Sequence, residues 1–267
     1  MKFKDYRIRT KLSRLPDFII SFSAILFVTR RLIFRGKLIL IMTPGKVGSS
    51  SLYYSLLSKT NRSVFHIHYL TSNSISKEFY REKSSSKKGA SWHLYVSYWI
   101  NLYLKILKPD FDVIILVRKG SSRYLSSIFQ NLNQLPKDIF DLESGSINYI
   151  KLKNYVLQGV DIDISNIYNY FNSELFTNFD LNNEKLEINK VYNHFGKSNV
   201  KILYTSLFHN DHMQNINIFL NTKIKKLERA NIGSNKFYSK TYSKIKKELG
   251  KSLELKYSKL DSYLGFR

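Results

Sequence analysis

The order Lys46-Val47-Gly48-Ser49-Ser50-Ser51 places a cation, a glycine and three hydroxyls in one short stretch. It follows the apolar run Leu38-Ile39-Leu40-Ile41-Met42 and a Thr43-Pro44-Gly45 turn. A buried strand, a tight loop and a hydroxyl-rich helix start make a cradle for a phosphate-like anion. The first-turn N–H groups of a helix lack partners inside it, and the positive end of its dipole points the same way. Gly48 lets the backbone approach a ligand, the serines add donors and Lys46 adds a positive charge. The order is not that of a Walker A loop, G-x-x-x-x-G-K-[ST]. Lys46 precedes Gly48, and position 41 is Ile41. Taken alone, the stretch also fits an ordinary strand–turn–helix junction capped by serines.

A second group of residues follows the run Asp112-Val113-Ile114-Ile115-Leu116-Val117, which ends on Arg118. Ser126 lies eight residues further on, past a turn and about one turn of a helix. A strand-end guanidinium and a hydroxyl so placed can reach one anion, the first by a paired contact and the second by a single bond. The alternative is a solvated arginine and a helix-surface serine. His66 and His68 are two apart on an alternating segment, so a strand turns both rings to one face. An imidazole near neutrality suits the removal of a proton from a hydroxyl. His68 is the favoured base because it lies nearer the strand's carboxyl end, with His66 second; a structural pair bonded to backbone is the alternative. His93 is a weaker candidate, and His194, His209 and His212 read as surface residues. Trp92, Trp99 and Tyr103 could line a sugar groove or stack on adenine, but their helical spacing favours core packing.

Apolar runs place strands at Leu38–Met42, Phe111–Val117 and Val200–Tyr204, and the alternating Ser63–Tyr69 reads as a further one. Helical patterns fall at Ser49–Ser58, Trp92–Leu107, Ser121–Asn131, Asn148–Gln158, Ile164–Leu175 and Asp211–Leu220, with a helical, lysine- and tyrosine-rich stretch after Asn231. Ser84–Gly89 reads as a polar loop and Pro136–Gly145 as irregular. Strands alternating with helices imply an α/β fold, a parallel sheet with helices on both faces. Ligands of such sheets bind beyond the carboxyl ends of the strands, where both anion-binding groups fall.

With 267 residues, 43% of them hydrophobic, the chain can bury a substantial core. Its formal charge of +23 fits a polyanionic partner, an anionic membrane surface or a compositional bias towards lysine, and a basic surface would help attract a highly charged nucleotide. It contains no cysteine, which rules out disulfides, thiolate metal sites and a thiol nucleophile and is compatible with a cytoplasmic location. No metal-ligand set and no nucleic-acid-binding module are recognisable. Residues 1–36 form a separate segment, with residues 37–267 as the α/β domain. The segment starts with Lys2, Lys4, Arg7, Arg9, Lys11 and Arg14, continues with the apolar Phe18–Val28 and closes on Arg30 and Arg31. A run of eleven residues is too short for a bilayer, which needs about 20. The segment reads as a helix packed on the domain or, as the sharper alternative, a basic helix lying on the inner membrane surface.

The lysine–x–glycine–hydroxyl order resembles the 5′-phosphosulfate loop of sulfotransferases that use 3′-phosphoadenosine-5′-phosphosulfate as donor. The Arg118…Ser126 pair looks like their 3′-phosphate motif. The resemblance is closest to carbohydrate sulfotransferases, especially bacterial capsular polysaccharide synthesis proteins. It extends over about residues 37–265 and includes His66–Leu70, Ser127–Leu132, Tyr168–Leu175, Asn231–Ser234 and Tyr238–Tyr242. It implies a P-loop-like sheet and transfer of a sulfuryl group to a glycan hydroxyl, with no metal and no nucleic acid. It further implies that Lys46 stabilises the leaving bridging oxygen. Backbone N–H groups from Gly48 to Ser51, with Val47 in the same loop, would hold the 5′ end, and Arg118 with Ser126 the 3′-phosphate. Some uronyl sulfotransferases carry a similar His-x-His. The chain departs from the pattern where Lys119-Gly120 replaces the relatives' Asp-Pro and where Tyr204-Thr205-Ser206-Leu207 lacks their acid. A kinase-like or degenerate nucleotide-binding protein and a non-catalytic polyanion binder are the competing readings.

Overall fold

The structure is a computed structural model and describes residues 17–85, 90–181, 185–195, 198–228 and 237–266. The basic start of the chain, most of the Ser84–Gly89 loop and the Asn231–Ser234 motif lie outside the described residues. Five strands form one sheet: β1 (Gly36–Met42), β2 (Arg62–Ile67), β3 (Phe111–Leu116), β4 (Lys190–Phe195) and β5 (Asn199–Thr205). Their spatial order is β2-β1-β3-β5-β4. All neighbours pair in parallel except β4, which runs antiparallel to β5 at the edge. The strand read from sequence at Val200–Tyr204 is therefore the fifth in chain order.

Period-two alternation divides the central strands between two cores. Ile39, Ile41, Val64, Ile114, Leu116 and Leu203 face a thin layer made by α2 (Ser49–Lys59) and the later helix Asp211-capped His212–Leu220. Leu40, Met42, Phe65, Ile67, Val113 and Ile115 face a thicker one. That layer includes α1 (Asp17–Phe34), α4 (Trp92–Leu107), α5 (Gly120–Gln130), α6 (Tyr149–Gln158) and α7 (Val160–Tyr170). With α3 (Ser72–Ser85) placed before α4, the His212–Leu220 helix is α8, and α9 is Ser239–Tyr263. Strands buried on both faces explain why the runs are continuously apolar.

The apolar run near the start becomes α1, whose inner edge, Ile20, Ala24 and Val28, is buried in the thick layer. Trp99 donates its indole N–H to the Ser21 carbonyl at 3.1 Å, and Trp92 meets Phe27 edge to face. Trp92, Trp99 and Tyr103 all pack against the core, as their spacing indicates. Arg31 ties the far end of α1 to the sheet edge, donating to the Tyr53 hydroxyl and the Val64 carbonyl, each at 2.9 Å.

Two buried acids fix opposite ends of the sheet. Asp112, at the start of β3, pairs with Lys37 at 2.8 Å and with Arg62. Glu174, wholly buried, sits on a π-helical turn (Phe171–Phe176) that continues α7. Its carboxylate accepts the Leu70 N–H at 2.6 Å, the Thr71 N–H at 3.0 Å and the Thr71 hydroxyl at 2.8 Å. It thus holds the loop that leaves the carboxyl end of β2.

Candidate active site

The carboxyl ends of β1, β2 and β3 open into one cavity of about 630 Å³. Its floor is the loop from β1 to α2. Gly45 and Gly48 have φ of 93° and 83°, and Lys46 itself lies at φ 61°. A non-glycine residue in the left-handed region costs free energy, so the surrounding structure must hold Lys46 there. The Gly45 N–H donates to the Thr43 hydroxyl at 2.9 Å, and Gly48 caps α2. No capping side chain and no first-turn acid offsets the positive end of that helix.

Lys46, Gly48, Ser49, Ser50 and Ser51 line the cavity together with His66, His68, Arg118 and Ser126. The residues singled out by type and spacing thus converge, although they come from four segments. Val47 does not share the lining: its side chain is wholly buried in the thin-layer core, so it offers the cavity only backbone. His93 lies outside the cavity. It is exposed, stands edge to face with His68 at 6.4 Å, and lines a small neighbouring pocket with His66 and Trp92.

Lys46 reaches across the opening and donates to the Gln130 side-chain carbonyl at 2.9 Å. The Gln130 amide in turn points at the Ser126 hydroxyl, 3.4 Å away. Arg118 donates to the Lys46 carbonyl at 3.2 Å and lays its guanidinium over the Phe208 ring, 4.3 Å from its centroid. That bond to the loop makes Arg118 a brace for the cradle as well as a wall of the cavity. Burial lowers its pKa from the ordinary arginine value, with Tyr242 opposing the shift. Among the described residues, none of the lining is Asp or Glu. A lysine, an arginine and a helix start therefore face the same space, a setting that attracts anions.

His68 is held differently. Its Nδ1 lies 2.8 Å from the Thr43 carbonyl oxygen. A carbonyl only accepts, so Nδ1 carries the proton and Nε2 keeps its lone pair. Burial lowers the His68 pKa, and the nearby Lys46 charge lowers it further, while the Thr43 bond opposes both. At neutral pH the ring is uncharged and able to accept a proton. His66 stacks edge to face against it, with ring centroids 4.9 Å apart.

The far wall comes from segments that spacing did not mark as site residues: Phe208, Phe129 and Gln130, and Tyr238, Ser239, Tyr242 and Ser243 at the start of α9. Gln130 and the Tyr238–Tyr242 stretch were visible as pieces of the family pattern, but nothing local marked Phe208. The beginning of α5 is fixed from the same helix: Asp261 accepts the Gly120 N–H at 2.7 Å, and Tyr257 packs against Gly120. The Lys119-Gly120 turn is thus made with α9 as its partner. No protein-family model, curated protein or solved structure matches this chain.

Proposed function

We propose that the protein transfers a sulfuryl group from 3′-phosphoadenosine-5′-phosphosulfate to a carbohydrate hydroxyl, on a P-loop-like sheet of the sulfotransferase kind. The observation that carries the reading is the convergence of two cationic groups on one cavity. These are the Lys46 loop at the start of α2 and the Arg118–Ser126 pair, with a proton-accepting imidazole beside them. A ligand with an anionic group at each of two ends fits that arrangement better than a single phosphate does.

In this reading the N–H groups and hydroxyls from Gly48 to Ser51 hold the 5′-phosphosulfate, and Arg118 with Ser126 holds the 3′-phosphate. The acceptor oxygen attacks sulfur in line, and the bond from sulfur to the bridging phosphate oxygen breaks. The acceptor proton passes to His68 Nε2, and the charge that develops on the bridging oxygen is stabilised by Lys46. For that, Lys46 must exchange Gln130 for the donor. The sheet-end position of the cavity agrees with ligand placement in parallel α/β sheets, and surface or capsular polysaccharide would be the acceptor class.

Calorimetry with adenosine 3′,5′-bisphosphate against ATP–magnesium tests the donor half of the proposal. Preference for the bisphosphate is expected; preference for ATP–magnesium, or no binding of either, rejects it. Transfer of radiolabelled sulfate to a panel of glycans then tests the chemistry.

A further inference from the structure

The outer edge of α1 is apolar where a solvated helix would be polar. Phe18, Phe22, Leu26 and Ile33 are 72, 62, 55 and 68% exposed. They recur at helical spacing along one side, opposite the buried Ile20, Ala24 and Val28. An aromatic-lined groove of about 700 Å³ adjoins this stripe, walled by Phe18 of α1, Tyr80 of α3, and Tyr98 and Trp99 of α4. We propose that this face docks the protein onto the surface of an anionic bilayer, with α1 lying in the plane of the headgroups. The inference does not depend on the reaction proposed above.

Spanning is not available to α1, because its inner edge is locked into the core and no helix among the described residues is long and apolar enough to cross a membrane. An in-plane helix needs only one apolar edge, with aromatic rings at headgroup depth and basic groups around it. The charges identify the occupant. The sequence before α1 carries Lys2, Lys4, Arg7, Arg9, Lys11 and Arg14 against Asp5 alone, and Arg30 is exposed beside the stripe. Asp17, the acid in α1's sequence, pairs with Lys83 at 2.6 Å and accepts the Tyr95 hydroxyl at 2.7 Å. A second copy of this chain carries the same net charge of +23 and would be repelled, whereas anionic lipid complements it.

Flotation of the full chain with vesicles tests the proposal. Vesicles of phosphatidylcholine with about one-third phosphatidylglycerol should bind it at least about tenfold better than phosphatidylcholine alone. The triple variant Phe18→Ser, Phe22→Ser, Leu26→Ser should lose about tenfold or more of that binding. Circular dichroism of the variant checks that it remains folded. If it does not fold, the single Phe22→Ser variant replaces it, with a smaller loss expected. Three outcomes would overturn the proposal: no preference for the anionic vesicles; equal binding by wild type and the folded variant, meaning charge alone; or a wild-type dimer in solution that the substitutions dissociate.

Discussion

Replacing Glu174 by alanine removes the acceptor of three hydrogen bonds at once. The Leu70 N–H, which is buried, and the Thr71 N–H, which is partly so, both rest on Glu174 Oε2 and lose their partner. Each stranded N–H costs about 1–3 kcal/mol, so the pair amounts to about 4 kcal/mol. Against a typical total of about 5–15 kcal/mol that is a large fraction. At about 2–4 °C per kcal/mol the melting temperature should fall by about 8–16 °C. Glu174→Gln separates geometry from charge. The glutamine carbonyl still accepts both N–H groups, and its amide donates to the Thr71 oxygen, whose own proton then turns from residue 174 to the Ser74 hydroxyl 2.8 Å away. That variant should lose only about 1 kcal/mol, the difference between a charged and a neutral acceptor. Urea denaturation of the three proteins measures both values. Since His68 lies just before this loop, its ring resonances followed by NMR should titrate closer to the ordinary histidine value in the alanine variant. An alanine variant within about 1 kcal/mol of wild type, or a glutamine variant as damaged as the alanine one, would refute this account of the turn.

Arg118→Ala should weaken adenosine 3′,5′-bisphosphate binding by about 10- to 100-fold in calorimetry, the loss of charge-assisted bonds, with Arg118→Lys intermediate. Lys46→Ala should leave that binding within a few-fold and lower sulfate-transfer turnover by about 100-fold, because its role is realised as charge develops. The lowered pKa of His68 places an acid limb in the turnover profile below the ordinary histidine value of 6.5, with a plateau above it. His68→Gln should remove that limb, whereas His66→Gln should preserve it. The sign for stability follows from the same shift: the unfolded chain takes up the proton at the higher pH. The contribution of neutral His68 is therefore complete above the ordinary value and is lost as pH falls towards the folded one. Urea titrations of wild type and His68→Gln on either side of pH 6.5 should show this slope only in the wild type. Gly120→Ala should cost about 2–3 kcal/mol in denaturant, since its Cβ would stand 2.2 Å from a Tyr257 ring carbon.

The central strands β1 and β3 were legible because burial on both faces makes them apolar runs, β5 kept the shorter run Ile202–Tyr204, and β2 showed as an alternation. The edge strand β4, Lys-Val-Tyr-Asn-His-Phe, is half polar and pairs on one side, so no such run marks it. The polar helix α3 buries Ile75 but otherwise carries too few apolar residues to show a period. The π-helical turn that aims Glu174 is a register change within an apparently ordinary helix, and a repeat of 3.6 residues cannot reveal it. In the site, Lys46, Gly48 and Arg118 were readable because local order and strand ends constrain them. Phe208 and Ser243 were not, since they reach the cavity only through the packing of α9 and the loop after β5.

The helix α9 is synthesised after every other element it touches. It supplies one wall of the cavity through Tyr242 and Ser243, and near its other end it fastens Gly120 through Asp261. A nascent chain that has already formed β1, α2, β3 and α5 therefore holds the anion cradle without the lid side of its pocket or the anchor of α5. Its thick-layer core stays open where Ile245, Leu249 and Leu253 will pack. That wall and that anchor are thus the last parts of the pocket that can form. A chain stalled before α9 leaves apolar core surface uncovered, the condition that makes incomplete chains prone to aggregate.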